Sequence, residues 1–346
     1  SIKLHIIINN NIKNFLYYYL MNKIFPISFS IPEEKIVNII PNKNNILANY
    51  IPNGVGHAYY IYDNEEDYYN GYKNSLFAIT KKKGGWDAMR HYEILASGCI
   101  PVFENLENCP ITRIFNFPKK IILETNNFFK IIINKYNIHK NNNSNQLSEE
   151  ELNKCYYYIN LLLNYTREHL ISTKIAKYIL EKTENSYAKN ILYICNPPDG
   201  DYLRSQTLHG FKKLFKKNCV EYPFMPHIYK LSNKNKNHNF DKMHGKGFSY
   251  TKLLDIEEYY NEKNEEEIIN LIKNNYFDIV IYSSLHHNKP KHEHILFNIV
   301  KEYYPPNKII FLCGEDEHRN QPGWLTPVCI YPEFIKKGHF CFVREL

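Results

Sequence analysis

Several signatures that would classify this 346-residue sequence at once are missing. No run of about 18 apolar residues occurs, so no membrane-spanning helix is expected. The opening, SIKLHIIINN, lacks the charged-then-apolar layout of a secretory signal. No Gly-x-Gly-x-x-Gly follows a strand-like run, which argues against a dinucleotide oxidoreductase. His244-Gly245-Lys246-Gly247 is glycine-rich with a lysine, but it does not fit the Gly-x-x-x-x-Gly-Lys-Ser/Thr phosphate loop. No Gly-x-Ser-x-Gly elbow is present, against an α/β-hydrolase. The eight cysteines, at 99, 109, 155, 195, 219, 313, 329 and 341, contain no Cys-x-x-Cys pair, so no structural zinc is expected.

What is present suits a protein with sizeable cores. The chain is long enough for two domains of ordinary size, and 44% of it is hydrophobic, including 30 Tyr and 20 Phe. Cysteines in apolar runs, as in YIC195 and FLC313, read as buried free thiols and predict a reducing, cytoplasmic compartment. The net charge of +7 is spread along the chain rather than concentrated in a block. It fits a protein that handles phosphorylated ligands. Without a basic helix or zinc-finger spacing, a nucleic-acid partner is not expected.

Strand-like and helix-like segments alternate. Strands are predicted at Leu4–Ile8, Tyr59–Tyr62, Leu76–Ile79, Ile100–Phe103, Ile121–Leu123, Ile191–Cys195, Cys219–Tyr222, Phe277–Tyr282 and Lys308–Cys313. Helices are predicted at Asn9–Met21, Glu65–Tyr72, Trp86–Ser97, over 148–182 as one long helix or a pair, and at Tyr202–Phe215, Glu265–Lys273 and His292–Tyr303. Phe25–Pro32 reads as extended, and 225–250 as a long loop. This alternation predicts an α/β protein with parallel, Rossmann-like sheets. Two lobes are expected, at 1–185 and 186–346.

The richest stretch is SLFAITKKKGGWDAMRHYEILASGCIPVFENLENC, residues 75–109. A buried strand leads into the basic loop Lys81-Lys82-Lys83-Gly84-Gly85. A helix follows, Gly98 sits where a left-handed cap belongs, and a second strand ends at Glu104. Open α/β sheets bind ligands outside the carboxyl ends of strands, near helix N-termini. Lysines, loop N–H groups and Arg90 suit a diphosphate. Glu93, one turn from Arg90, can accept from ribose or sugar hydroxyls.

The run Arg90-His91-Tyr92-Glu93-Ile94-Leu95-Ala96-Ser97-Gly98-Cys99-Ile100-Pro101-Val102 resembles the donor segment of exostosin-like and other GT-B glycosyltransferases. The resemblance covers about a tenth of the chain. It implies two Rossmann-like lobes facing a cleft and transfer of a sugar from a nucleotide-diphosphate sugar to a hydroxyl of a glycan or glycoprotein, in glycan biosynthesis. The nucleotide sugar is then a co-substrate, with no tightly bound cofactor and no metal. Donor binding would fall to Thr80, Lys81, Lys83, Gly84, Gly85, Arg90 and Glu93. Pro101 stands where many retaining enzymes carry a second Glu, so the stereochemical outcome is open. GT-B enzymes usually place the donor lobe second. Here the donor-like segment lies in the first half, which implies reversed lobe order or a partner lobe beyond these residues.

A general base is needed to deprotonate the acceptor in inverting transfer. His286 and His287 follow the strand at 277–282, Asp316 follows the strand at 308–313, and Glu104 follows the strand at 100–103, with Glu107 behind it. His286, Asp316 and Glu104 are therefore the candidate catalytic residues. Asp316 has Glu315 and Glu317 beside it but no Asp at i±2, so a divalent-metal site is not expected there. A reading from another class is a non-catalytic module with a degenerate fold of this kind that recognises a glycan or a partner.

Overall fold

The computed structural model describes residues 23–49, 61–138, 140–195, 200–230, 243–283, 295–314, 316 and 331–346. The expected strand at 4–8, the expected helix at 9–21 and part of the expected strand at 59–62 lie outside them, as does His286.

The architecture is mixed α/β, built on two parallel sheets. The smaller has the order β2-β3-β4, with β2 at Asn45–Leu47, β3 at Ser75–Lys81 and β4 at Ile100–Glu104. Helix α1, Glu65–Lys73, connects β2 to β3, and α2, Met89–Ala96, connects β3 to β4. Among the described residues the larger sheet has six strands, in the order β1-β9-β8-β7-β5-β6. These are β1 Ile24–Pro26, β5 Ile191–Ile194, β6 Cys219–Tyr222, β7 Ile279–Tyr282, β8 Ile309–Cys313 and β9 Phe340–Val343. All its ladders are parallel. From β5 onward the order is 2-1-3-4-5, a doubly wound order that reverses between β5 and β7.

Both faces of the large sheet are covered, and the strand sequences show why. Ile191, Tyr193 and Cys195 join one apolar cluster while Leu192 and Ile194 join another. Ile279 and Ile281 alternate with Val280 and Tyr282 in the same way. Continuous apolar runs of this kind are what a doubly covered parallel sheet requires. The first cluster also takes Leu76, Phe77, Ile100 and Phe103 from the small sheet, so one core joins the two sheets.

Strands β2 and β9 are not expected from the sequence, and two further elements differ from the expectation. Ile121–Leu123 is not a strand but the start of α3, Lys119–Lys135. Its buried side chains, Ile122, Thr125, Phe128, Phe129 and Ile132, recur at helical spacing. The second difference is β1, which lies in the first half of the chain yet forms the edge of the large sheet beside β9. The segment 148–182 is a helix pair, α4 at Glu149–Tyr165 and α5 at Ser172–Lys182, separated by a π turn. Ser148 and Glu151 form a reciprocal capping box at the start of α4. Three further helices matter below: α6 at Tyr202–Phe215, α7 at Ile256–Tyr259 and α8 at Glu265–Lys273.

Candidate functional site

Strand β3, the loop 82–88, α2 and β4 form the unit read from the sequence. Every residue of α2 is buried, including Arg90, His91 and Glu93. The helix ends where Gly98 adopts φ +63°, a left-handed turn that closes the route to β4. Polar side chains on a buried helix need partners, and those of His91 and Glu93 are distinct.

His91 is held between the loop and the strand. Its Nε2 donates to the Trp86 carbonyl at 2.9 Å, and its Nδ1 accepts from Thr80 Oγ1 at 2.8 Å. Burial pushes its pKa down to about 3, so the ring is neutral. The Thr80 hydroxyl, expected to bind a donor, instead spends its proton on His91.

Lys83 lies close enough to both Lys81 and Arg90 to feel their charges. Burial lowers the pKa of Lys83, and the charges of Arg90 and Lys81 lower it further. Lys82 turns aside and stacks over the Trp86 ring, 5.1 Å from its centroid. Glu104 pairs in register with Lys81 at the end of β4 and is exposed. Lys81, Lys83 and Arg90 thus bring positive charge to the carboxyl end of β3, with Glu104 beside Lys81.

The glycines meet the other sheet. A Cβ added to Gly84 would lie 2.3 Å from Asp316 Oδ2, and one added to Gly85 would lie 2.2 Å from Glu345 Oε1. A larger residue at either position would push these carboxylate ends aside. Sequence reasoning placed a bound diphosphate beside Gly84 and Gly85, but these carboxylates from the ends of β8 and β9 stand there. They are fixed by Arg344, which bonds to Asp316, to the Gly314 carbonyl at 2.9 Å and to the Asp87 carbonyl at 2.8 Å. Burial opposes charge on Arg344, yet Asp87, Asp316 and Glu345 outweigh it and raise its pKa. Arg113 completes the cluster with a 2.8 Å ion pair to Glu345. The carboxyl edges of the two sheets thus face each other across the loop 82–88.

Asp87 and Glu93 are both buried carboxyls on this unit. Asp87 accepts from the Phe29 amide at 2.7 Å and the Tyr92 hydroxyl at 2.8 Å. Burial pushes its pKa up to about 7, against the opposing charge of Arg344. Glu93 accepts from Tyr68 at 2.5 Å and from Ser249 at 2.5 Å. Burial raises it to about 7, against those hydrogen bonds and the charge of Arg90.

These shifts set a pH dependence with a definite sign. Between about pH 4.5 and 7 the unfolded chain has released the Glu93 proton and the folded chain retains it. Stability from this group is therefore present at low pH and lost as pH rises through that window. Asp87 acts in the same direction. His91 opposes both between about pH 3 and 6.5, because there only the unfolded chain binds its proton. Urea denaturation of wild type and Glu93→Gln isolates the contribution of Glu93. The stability of wild type relative to the variant should fall by about 3 kcal/mol between pH 5 and pH 8. A difference independent of pH would contradict the assignment.

The structure brings together Lys81, Lys83 and Arg90, and separately Gly84 and Asp316. Asp316 is engaged by Arg344, and Glu93 by Ser249 and Tyr68. Among the described residues no group of three His, Cys, Asp or Glu side chains could hold a metal. Among the described residues seven cysteines are free thiols, and all of these except Cys109 are buried. No described helix is long and apolar enough to cross a membrane. Sequence reasoning missed Asp87, Ser249, Arg344 and Glu345. The available signals were an acid directly after Gly84-Gly85-Trp86 and a charged pair directly after the apolar run Phe340–Val343. Comparison with protein-family models, curated proteins and solved structures gives no match.

Proposed function

We propose that this chain is a glycosyltransferase of the two-lobed GT-B type, with its donor site at the carboxyl end of β3. The observation that carries the reading is Lys83, just past the end of β3, close enough to Lys81 and buried Arg90 to feel both charges. Like charges held near one another and partly dehydrated by burial favour an anion of multiple charge. A nucleoside diphosphate supplies one.

In the transfer, an acceptor hydroxyl oxygen bonds to the anomeric carbon as the bond from that carbon to the diphosphate oxygen breaks. The bonding pair leaves with the diphosphate, where Lys81, Lys83 and Arg90 stabilise it without a metal. Glu93 would accept from a donor hydroxyl. Glu104, Asp316 and His286 remain the candidates to take the acceptor proton. The lobe order is reversed, with the donor lobe first and the large sheet on the acceptor side.

Thermal-shift titration with UDP-, GDP-, CMP- and dTDP-sugars tests this reading. One of them should stabilise wild type by about 2.7 kcal/mol at 100 times its Kd. Arg90→Ala should weaken that binding at least about 100-fold, through loss of charge-assisted bonds to phosphate. If no nucleotide sugar stabilises the folded wild type, the reading is wrong. The engagement of both Glu93 oxygens by Tyr68 and Ser249 favours a second reading, a non-catalytic binding module. A nucleotide sugar that binds and is never turned over with any acceptor would support it.

A further inference from the structure

Ser249 is far from Glu93 in sequence, beyond β6, yet its hydroxyl lies 2.5 Å from Glu93 Oε1. Tyr69 donates to the same hydroxyl at 2.7 Å, and the Ser249 amide donates to Glu65 Oε1 at 2.6 Å. The Ser249 side chain is fully buried. Phe248 packs on Tyr68 with ring centroids 5.5 Å apart, and Lys246 reaches the Tyr62 carbonyl at 3.1 Å. The segment 243–252 is thus pressed onto α1 and α2 from outside the small sheet.

The backbone of this segment is unusual. Gly245, Lys246, Gly247, Ser249 and Lys252 all have positive φ, with Ser249 at +71°. Three of these are residues for which the left-handed region is unfavourable. Such a run persists only where surrounding contacts hold it, and it concentrates at clamps and switches. A scaffold contact needs no such conformation. A hydroxyl donating to a buried carboxylate is also the chemistry a sugar or ribose hydroxyl would bring.

We propose that the segment 243–252 is an internal plug, in which the Ser249 hydroxyl occupies the position on Glu93 that a donor hydroxyl takes, so that full donor binding requires the segment to withdraw. This rests on the reading of Glu93 and Arg90 as donor-site residues. Binding to a site that is competent only when open is weakened by the fraction closed. Removing the Ser249 hydroxyl therefore tightens donor binding. Alanine keeps the cost of the left-handed turn, whereas glycine adopts it freely and leaves the plug in place more often.

The test is calorimetric titration of the full chain with UDP-glucose, GDP-mannose and inorganic pyrophosphate, using wild type, Ser249→Ala, Ser249→Gly and Arg90→Ala. Pyrophosphate reads the cationic cluster alone, because it has no hydroxyl for Glu93. Ser249→Ala should bind the nucleotide sugar about tenfold more tightly than wild type. Ser249→Gly should fall between the two, and pyrophosphate affinity should be unchanged in both. Arg90→Ala should lose both ligands. If Arg90→Ala abolishes nucleotide-sugar binding while both Ser249 variants bind as wild type does, or more weakly, the plug is wrong and the donor site stands. If neither nucleotide sugar nor pyrophosphate binds wild type or Ser249→Ala, the donor reading fails and the plug fails with it.

Discussion

Lys212→Met is expected to destabilise the protein by about 3–5 kcal/mol, the cost of leaving a buried charge without its partner. Lys212 lies on α6 and Glu221 on β6, with Nζ and Oε2 3.0 Å apart and both side chains fully buried. Lys212 also donates to the Tyr259 carbonyl at 2.9 Å. Glu221 accepts from the Tyr229 hydroxyl at 2.5 Å and from the Met225 amide at 3.2 Å. Methionine fills nearly the same volume, so the loss reads charge rather than packing. Adding Glu221→Gln removes the stranded charge and keeps an acceptor for Tyr229 and Met225. The double variant should recover at least about 2 kcal/mol relative to Lys212→Met, measured by urea denaturation. A single-variant loss under about 1 kcal/mol would show that the pair is not what fixes α6 to β6.

Gly210→Ala should cost about 3 kcal/mol, opposite in sign to the usual effect in a helix. In an ordinary helix interior, alanine is more stable than glycine by about 1 kcal/mol. Here α6 crosses α5 so closely that a Cβ on Gly210 would lie 2.2 Å from the Ser172 carbonyl oxygen. The obstacle is backbone, which cannot rotate away. It is also pinned, because Ser172 Oγ bonds to His209 Nδ1 at 2.7 Å one residue from the glycine. Relief requires the two helices to separate, which opens the core that joins the two sheets. An unchanged or higher denaturation midpoint would contradict this packing.

The unit from 75 to 104 was legible in the sequence because each of its signals is local. The apolar run of β3, the helical spacing of α2 and Gly98 at the cap all lie within a few residues of what they specify. The basic loop also indicated where positive charge would gather. Ile121–Leu123 was misread because three apolar residues fit a strand or a buried helix equally well. The pattern through Phe128, Phe129 and Ile132 was the deciding signal. The pairing of β1 with β9 was not legible, since it joins the beginning and end of the chain through three-residue ladders.

The same distinction explains the site. The meeting of Gly84 with Asp316 was half legible, as both residues follow strands, but nothing local indicates that they touch. The partners of Glu93 and Asp87 come from elsewhere in the chain. Ser249 reaches Glu93 from beyond β6, and Arg344 reaches the Asp87 carbonyl from the end of β9. A buried carboxylate's function depends on such partners, so its sequence motif alone cannot say whether it is open to ligand.

The measurement that tests the central claim most directly is a crystal structure of the protein with a bound nucleoside diphosphate. The account predicts its phosphates at the carboxyl end of β3, within hydrogen-bonding reach of Lys83 and Arg90. The competing location is the carboxyl ends of β5 and β7, where the order of the large sheet reverses and open α/β sheets commonly take ligands. A diphosphate bound there, with Lys81, Lys83 and Arg90 uninvolved, would contradict the account.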